Sequence, residues 1–218
     1  MTFSIAARCT KTGAFGIGIT TGSIAVGARC PFVKAGAGAV LSQHSTDPRL
    51  GLRGIELLSH GWAAADVMAE LRKDRDTIAW RQLAVIDRQG RTAHFTGEKN
   101  GLARGGAEGP NCVAIGNILK NDRVPKAIID GFMAKTEAHL ADRLIAGLAA
   151  GLEAGGEINP LRSATLLVAE RFEFPEINLR VDWHEEPIAK LARTWRIYQT
   201  KMGGVLQRVT DPANAPSG

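Results

Sequence analysis

Cysteine is scarce. The chain has three, Cys9, Cys30 and Cys112, an odd number with no C-x-x-C pair. That argues against a disulfide framework and a thiolate zinc site, and for small apolar fillers in a reducing compartment. Aromatic residues make up only 6% of the chain, and none alternates with basic residues as a base-stacking platform requires. No apolar run reaches the ~18–20 residues of a membrane span. The opening MTFSIAARCTKTG has no basic stretch leading into an apolar one, so no secretory signal is expected and the protein is read as cytoplasmic. His44, His60, His94, His139 and His184 are dispersed, with no i, i+4 pair on an expected helix, so no metal is expected. A G-x-S-x-G elbow is missing. Gly13-x-x-Gly16-x-Gly18 has the wrong spacing for a dinucleotide fingerprint, and Gly101–Gly109 lacks the Lys–Ser/Thr ending of a P-loop. No cofactor is therefore expected.

What is present is ordinary globular material. The chain has 218 residues, 44% of them hydrophobic and 22% charged. A chain of that length buries roughly 70% or more of its unfolded surface without staples. The net charge is +5, but Lys and Arg stand among acids, as in Glu70–Arg72–Lys73–Asp74–Arg75–Asp76. A solvated mixed-charge surface is expected rather than a phosphate-binding face, with neither nucleic acid nor membrane as a partner.

Periodicity orders the chain. Thr2–Arg8 and Phe15–Thr21 read as strands joined by the turn Thr10–Gly13, and the alternation of large and small residues in FGIGITT suits a strand packed closely on one side. Ala37–Gln43 reads as a third strand. After Pro48, Leu50–His60 and Trp62–Lys73 carry helical apolar spacing, with Gly61 between them as a C-cap. Thr77–Ile86 and Arg91–Thr96 flank the hairpin signal Asp87–Gly90. A short strand is expected over Asn111–Ile115, helices over Val124–Ala134 and His139–Leu152, strands over Ser163–Phe172 and Ile177–Trp183, and a final amphipathic helix over Pro187–Arg208. Asp211–Gly218 reads as a frayed tail after a single domain spanning residues 1–210. Hairpin-rich strands with paired helices point to an α+β fold. The expected form is a four-layer αββα sandwich of two antiparallel sheets, each covered by a helix pair.

One residue carries candidate chemistry. Thr2 opens a strand directly after the initiator, and a small side chain there permits Met1 removal. The freed α-amino group would lie on the same residue as the hydroxyl. With a reference pKa of roughly 7.7–8.0, it can serve as that hydroxyl's base.

The blocks MTFSIAAR, FGIGITTGSIAVGARCPFVKAGAGAVLSQ, DPRLG, RQLAVIDRQGRTAHFTG, GNIL, LADRLIAGLAAGLEAGGE and SATLLV resemble the bacterial family catalogued as domain of unknown function 1028, from Met1 to about Asp182. That family is similar in fold to the N-terminal-nucleophile hydrolases. The resemblance implies amide hydrolysis with Thr2 as nucleophile and base, and Lys34 as the cation beside it. Arg8, on the same face of an alternating strand as Thr2, competes for that role. Backbone N–H groups near Ser42–Gln43 or Gly116–Asn117 are candidates for the oxyanion hole. The chain departs from the family's usual GGD-x-RG-x-QSA at Gly155–Ala164, which includes Ser163, and from its QGN at Ile115-Gly116-Asn117; both segments are expected to line the pocket. The expected function is an amidohydrolase cleaving a C–N bond of a small metabolite, working as a homo-oligomer. The alternatives are a ligand-binding or assembly protein that kept the fold without the chemistry, and acyl transfer to an acceptor other than water.

Overall fold

The computed structural model describes residues 1–73, 76–101 and 103–216. Asp74 and Arg75 of the mixed-charge run, Leu102 of the glycine-rich segment, and Ser217 and Gly218 of the tail lie outside the described residues. Five strands build the first half: β1 (Thr2–Arg8), β2 (Phe15–Thr21), β3 (Pro31–Lys34), β4 (Gly38–His44) and β5 (Arg81–Asp87). Helices α1 (Pro48–Ser59) and α2 (Ala64–Leu71) lie between β4 and β5. There follow β6 (Thr92–Thr96), β7 (Gly105–Gly109), β8 (Cys112–Asn117), α3 (Val124–Met133), α4 (Leu140–Glu153), β9 (Ser163–Ala169), β10 (Ile177–Val181) and α5 (Pro187–Thr210).

The strands form two antiparallel sheets, one of order β10-β9-β2-β1-β8-β7 and one of order β3-β4-β5-β6. Three apolar clusters separate four layers. Val40, Leu57, Val67, Leu71 and Val85 pack α1 and α2 onto the smaller sheet. Ala6, Ile17, Ile19, Leu41, Ile86 and Ile115 fill the space between the sheets. Phe3, Ile5, Phe132, Leu144, Leu148 and Trp195 seat α3, α4 and α5 on the larger sheet. This is the expected αββα sandwich, except that three helices rather than a pair cover the larger sheet. Two-residue alternation sends Phe3, Ile5 and Ala7 toward those helices and Ala6 toward the other sheet. Thr2 and Ser4 share the inward face with Ala6.

The small residues of β2 have a physical cause. A Cβ on Gly16 would come within 2.6 Å of Leu144 Cδ1, and one on Gly18 within 3.3 Å of Leu148. The strand is glycine-rich because α4 lies directly on it.

Two strands were missed in sequence. β3 is a four-residue edge strand whose first residue is proline, a position where the missing N–H costs no ladder bond. β7, GGAEG, offers almost no side-chain pattern to mark it as a strand. It is an edge strand paired through its backbone from Gly105↔Gly116 to Gly109↔Cys112. Conversely Ile78–Trp80 is a 3-10 turn rather than the start of a strand. The tail begins with another 3-10 turn, Pro212–Asn214, tied to α5 by Gln207 Nε2 donating to Asn214 O at 3.0 Å.

Charge is less evenly spread than the sequence suggested. α5 carries Lys190, Arg193, Arg196, Lys201 and Arg208 and no acid. Removing those five from the chain's 27 Lys and Arg leaves 22, balanced by 22 Asp and Glu. Among the described residues no helix is long and apolar enough to cross a membrane.

Candidate active site

Thr2 begins β1, a central strand of the larger sheet, and is 6% exposed. Its Oγ1 lies 3.3 Å from Thr21 Oγ1, at the end of neighbouring β2, and both hydroxyls converge on the Met1 carbonyl oxygen. On the other side of β1, Asn117 stands opposite Thr2 in the ladder with β8.

A buried amide network ties this end of the larger sheet to the smaller one. Ser4 Oγ donates to Gln43 Oε1 at 2.8 Å, and Gln43 Nε2 donates to Gln82 Oε1 at 2.7 Å. Asn117 Nδ2 donates to the same Gln82 oxygen at 2.9 Å, while Gln82 Nε2 donates to Gly116 O at 2.7 Å. Asn117 Oδ1 is buried and receives no hydrogen bond from the protein.

Glu157 closes the site from a third direction. It follows α4, forms an isolated bridge with Leu119 and is 3% exposed. Its Oε2 accepts the Gly22 N–H at 3.1 Å, next to Thr21, while its buried Oε1 has no partner. Burial pushes the Glu157 carboxyl up to about 7, against the opposing pull of the Met1 amine and the Gly22 N–H. The amine itself is held below its ordinary value, by burial first, with Glu157 and Cys30 pulling it back up. Burial also raises the Cys30 thiol, whose Sγ lies 3.4 Å from Thr46 Oγ1. His44 is lowered, mainly by burial and also by the nearby amine, while its contact with Trp80 O opposes the shift. Backbone strain sits at the same place: His44 has φ 71° and Ile118, next to Asn117, has φ 52°. A β-branched residue in the left-handed region is an outlier, and such strain tends to gather at functional sites.

The site residues expected from sequence are only partly assembled here. Asn117 adjoins Thr2, and Gly116, beside it, gives its carbonyl to Gln82. Gln43 faces the space between the sheets through Ser4. Ser42 alternates to the helix side, where its Oγ donates to Asp47 O at 2.9 Å; its N–H donates to Cys30 O at 3.0 Å. Ser163 pairs with Thr21, and its hydroxyl is spent on Ser23 O at 2.7 Å, tying down the 23–26 turn. Neither cation is brought to Thr2. Arg8 shares its strand and face but stands six residues away, about 20 Å at strand rise. Lys34 is exposed and pairs with Gly38, at the opposite end of β4 from His44, the residue that feels the amine. Alternation fixes a face, not an end. Thr21, Gln82 and Glu157 are not singled out in sequence: Thr21 and Gln82 lie in expected strands, and Glu157 in the departing segment Gly155–Ala164. Among the described residues, no group of three or more His, Cys, Asp or Glu is placed to hold a metal ion.

The layering, with Thr2 buried at the start of a central strand, defines an αββα protein. The chain belongs to the family of unknown function DUF1028, which matches residues 2–191. A DUF1028 protein from Silicibacter pomeroyi, known as a crystal structure, is 32% identical with a TM-score of 0.85, over 91% of this chain and 86% of that one. Anbu, the ancestral beta-subunit from Yersinia bercovieri, aligns over 92% of this chain and 96% of its own at 12% identity. Its TM-score of 0.35 is too low to bear on fold or function. No curated protein matches the chain.

Proposed function

We propose that the chain is an amidohydrolase of the N-terminal-nucleophile type, cleaving a C–N amide bond of a small metabolite with Thr2 once Met1 is removed. The observation that carries the reading is the position of Thr2. It is the first residue of a buried central strand, with its hydroxyl 3.3 Å from that of Thr21 and, on the same face, Ser4 bonded to Gln43. A threonine hydroxyl needs a base, and the α-amine exposed by processing is the nearest one, on the same residue.

In this reading the neutral amine takes the Thr2 hydroxyl proton as Oγ1 attacks the substrate carbonyl. The tetrahedral intermediate collapses with that proton passing to the departing nitrogen, leaving an ester on Thr2 and free amine product. Water, deprotonated by the same amine, then hydrolyses the ester and restores Thr2. The reading gives Lys34 and Arg8 no part in this step: Arg8 stands at the far end of β1 and Lys34 pairs with Gly38, away from Thr2.

The test is an amide panel assayed with wild-type protein and the Thr2→Ala and Thr2→Ser variants, alongside intact masses of each. The expected result is wild-type protein lacking Met1, hydrolysis abolished in Thr2→Ala and partly kept in Thr2→Ser. Full activity in Thr2→Ala, or in protein that retains Met1, contradicts the proposal.

A further inference from the structure

We infer that Glu157 is the positioning residue for the nucleophile's own amine, accepting a hydrogen bond from it through Oε1 and holding it over the Thr2 hydroxyl. The inference rests on reading Thr2 as the nucleophile. A carboxylate 3% exposed needs a partner for each oxygen, because an uncompensated buried charge is costly. Oε2 has the Gly22 N–H; Oε1 has nothing. Among the described residues no Lys or Arg forms an ion pair with Glu157.

The cation that acts on it is the chain's own amine: Met1 O accepts from Thr21 Oγ1, and Gly22, the next residue, donates to Glu157 Oε2. Cys30 is the other titratable neighbour of that amine, with His44 and Arg29 beyond. Removal of Met1 moves the amine by one residue, about 3.8 Å, onto Thr2 itself, whose hydroxyl meets Thr21 next to Gly22. It also turns the Thr2 nitrogen from a peptide N–H into a group with up to three donors. Two buried acceptors then lack donors on either side of Thr2: Glu157 Oε1 beyond β2, and Asn117 Oδ1 on β8. The cradle suits an amine and not a substrate oxyanion, which would be repelled by both.

The experiment reads the terminal amine directly. Reductive methylation is followed by mass spectrometry as a function of pH for wild-type, Glu157→Gln and Glu157→Asp protein, with amide hydrolysis measured on the same samples and on Thr2→Ala. Opposite charges at close range shift a pKa by roughly 1–3, so Glu157→Gln should lower the labelling midpoint by about one pH unit. It should move the acid limb of kcat/KM the same way, with Glu157→Asp restoring part of both. A purely structural glutamate would leave the midpoint alone, so an unchanged midpoint in Glu157→Gln overturns the inference whatever the activity does. A shifted midpoint together with full hydrolysis by Thr2→Ala keeps the Glu157–amine contact and removes Thr2 as nucleophile.

Discussion

Replacing Glu157 by glutamine should change the pH dependence of folding more than stability at any one pH. In the unfolded chain the carboxyl has its ordinary pKa of 4.5, whereas burial raises it to about 7 in the fold. Between those values the folded state binds more protons than the unfolded one, so this group favours the fold at acid pH. That advantage is lost as pH rises from about 4.5 through 7. At ~1.4 kcal/mol per pH unit the interval amounts to about 3 kcal/mol. Glutamine has no proton to lose and keeps the acceptor for Gly22 N–H. The stability of Glu157→Gln relative to wild type should therefore be about 3 kcal/mol more favourable at pH 8 than at pH 4.5. Other titrating groups occur in both proteins and largely cancel; the terminal amine, which loses its carboxylate neighbour, is the exception. Urea denaturation followed by tryptophan fluorescence at pH 4.5, 6 and 8 gives the double difference. A value within ~0.5 kcal/mol of zero would mean the carboxyl is solvated in the fold. The opposite sign would mean it is held ionised, and either result refutes the reasoning.

Three other substitutions test the packing that positions the site. Gly16→Ala forces a methyl against Leu144 Cδ1, at 2.6 Å before relaxation, and should cost about 1–3 kcal/mol by chemical denaturation; a neutral result would show that α4 can lift from β2 freely. Ile118→Asn should relieve left-handed strain at φ 52° and raise stability by about 1 kcal/mol. A loss of stability there would mean that packing of the isoleucine outweighs its backbone. Trp195 is 1% exposed, with Nε1 donating to Asp142 Oδ1 at 2.9 Å, so Trp195→Ala should cost about 3–5 kcal/mol. Unchanged stability would show that α5 does not anchor on α4.

Much of the architecture could be read from the sequence because its long elements carry strong periodicity. The hairpin of β1 and β2, the paired helices and the Asp87–Gly90 turn are each specified by local pattern and turn chemistry, and all appear. What failed was where side chains did not speak. β7 is three glycines in five residues and pairs through backbone alone; β3 is four residues long and opens on proline. Of the expected site residues, Thr2 and Asn117 are brought together, as a strand start and its ladder partner. Arg8 and Lys34 illustrate the limit: spacing along a chain assigns a face or a neighbourhood, and only the register of the sheets says which end a residue occupies. Glu157 was hidden for a different reason. It lies in the departing segment Gly155–Ala164, but nothing local says that it is buried: its contacts are Leu119, through an isolated bridge, and Gly22, 135 residues away in sequence.

The central claim is that Thr2 Oγ1 is the nucleophile. The most direct test is incubation of processed protein with a β-lactone, which a threonine hydroxyl opens to an ester with the whole reagent retained. Peptide mass mapping then locates the adduct. The expected result is one equivalent of mass gain on the N-terminal peptide at Thr2, formed faster as pH rises through the amine's titration and lost in Thr2→Ala. An N-terminal peptide that stays unmodified, or equal labelling in Thr2→Ala, would contradict it.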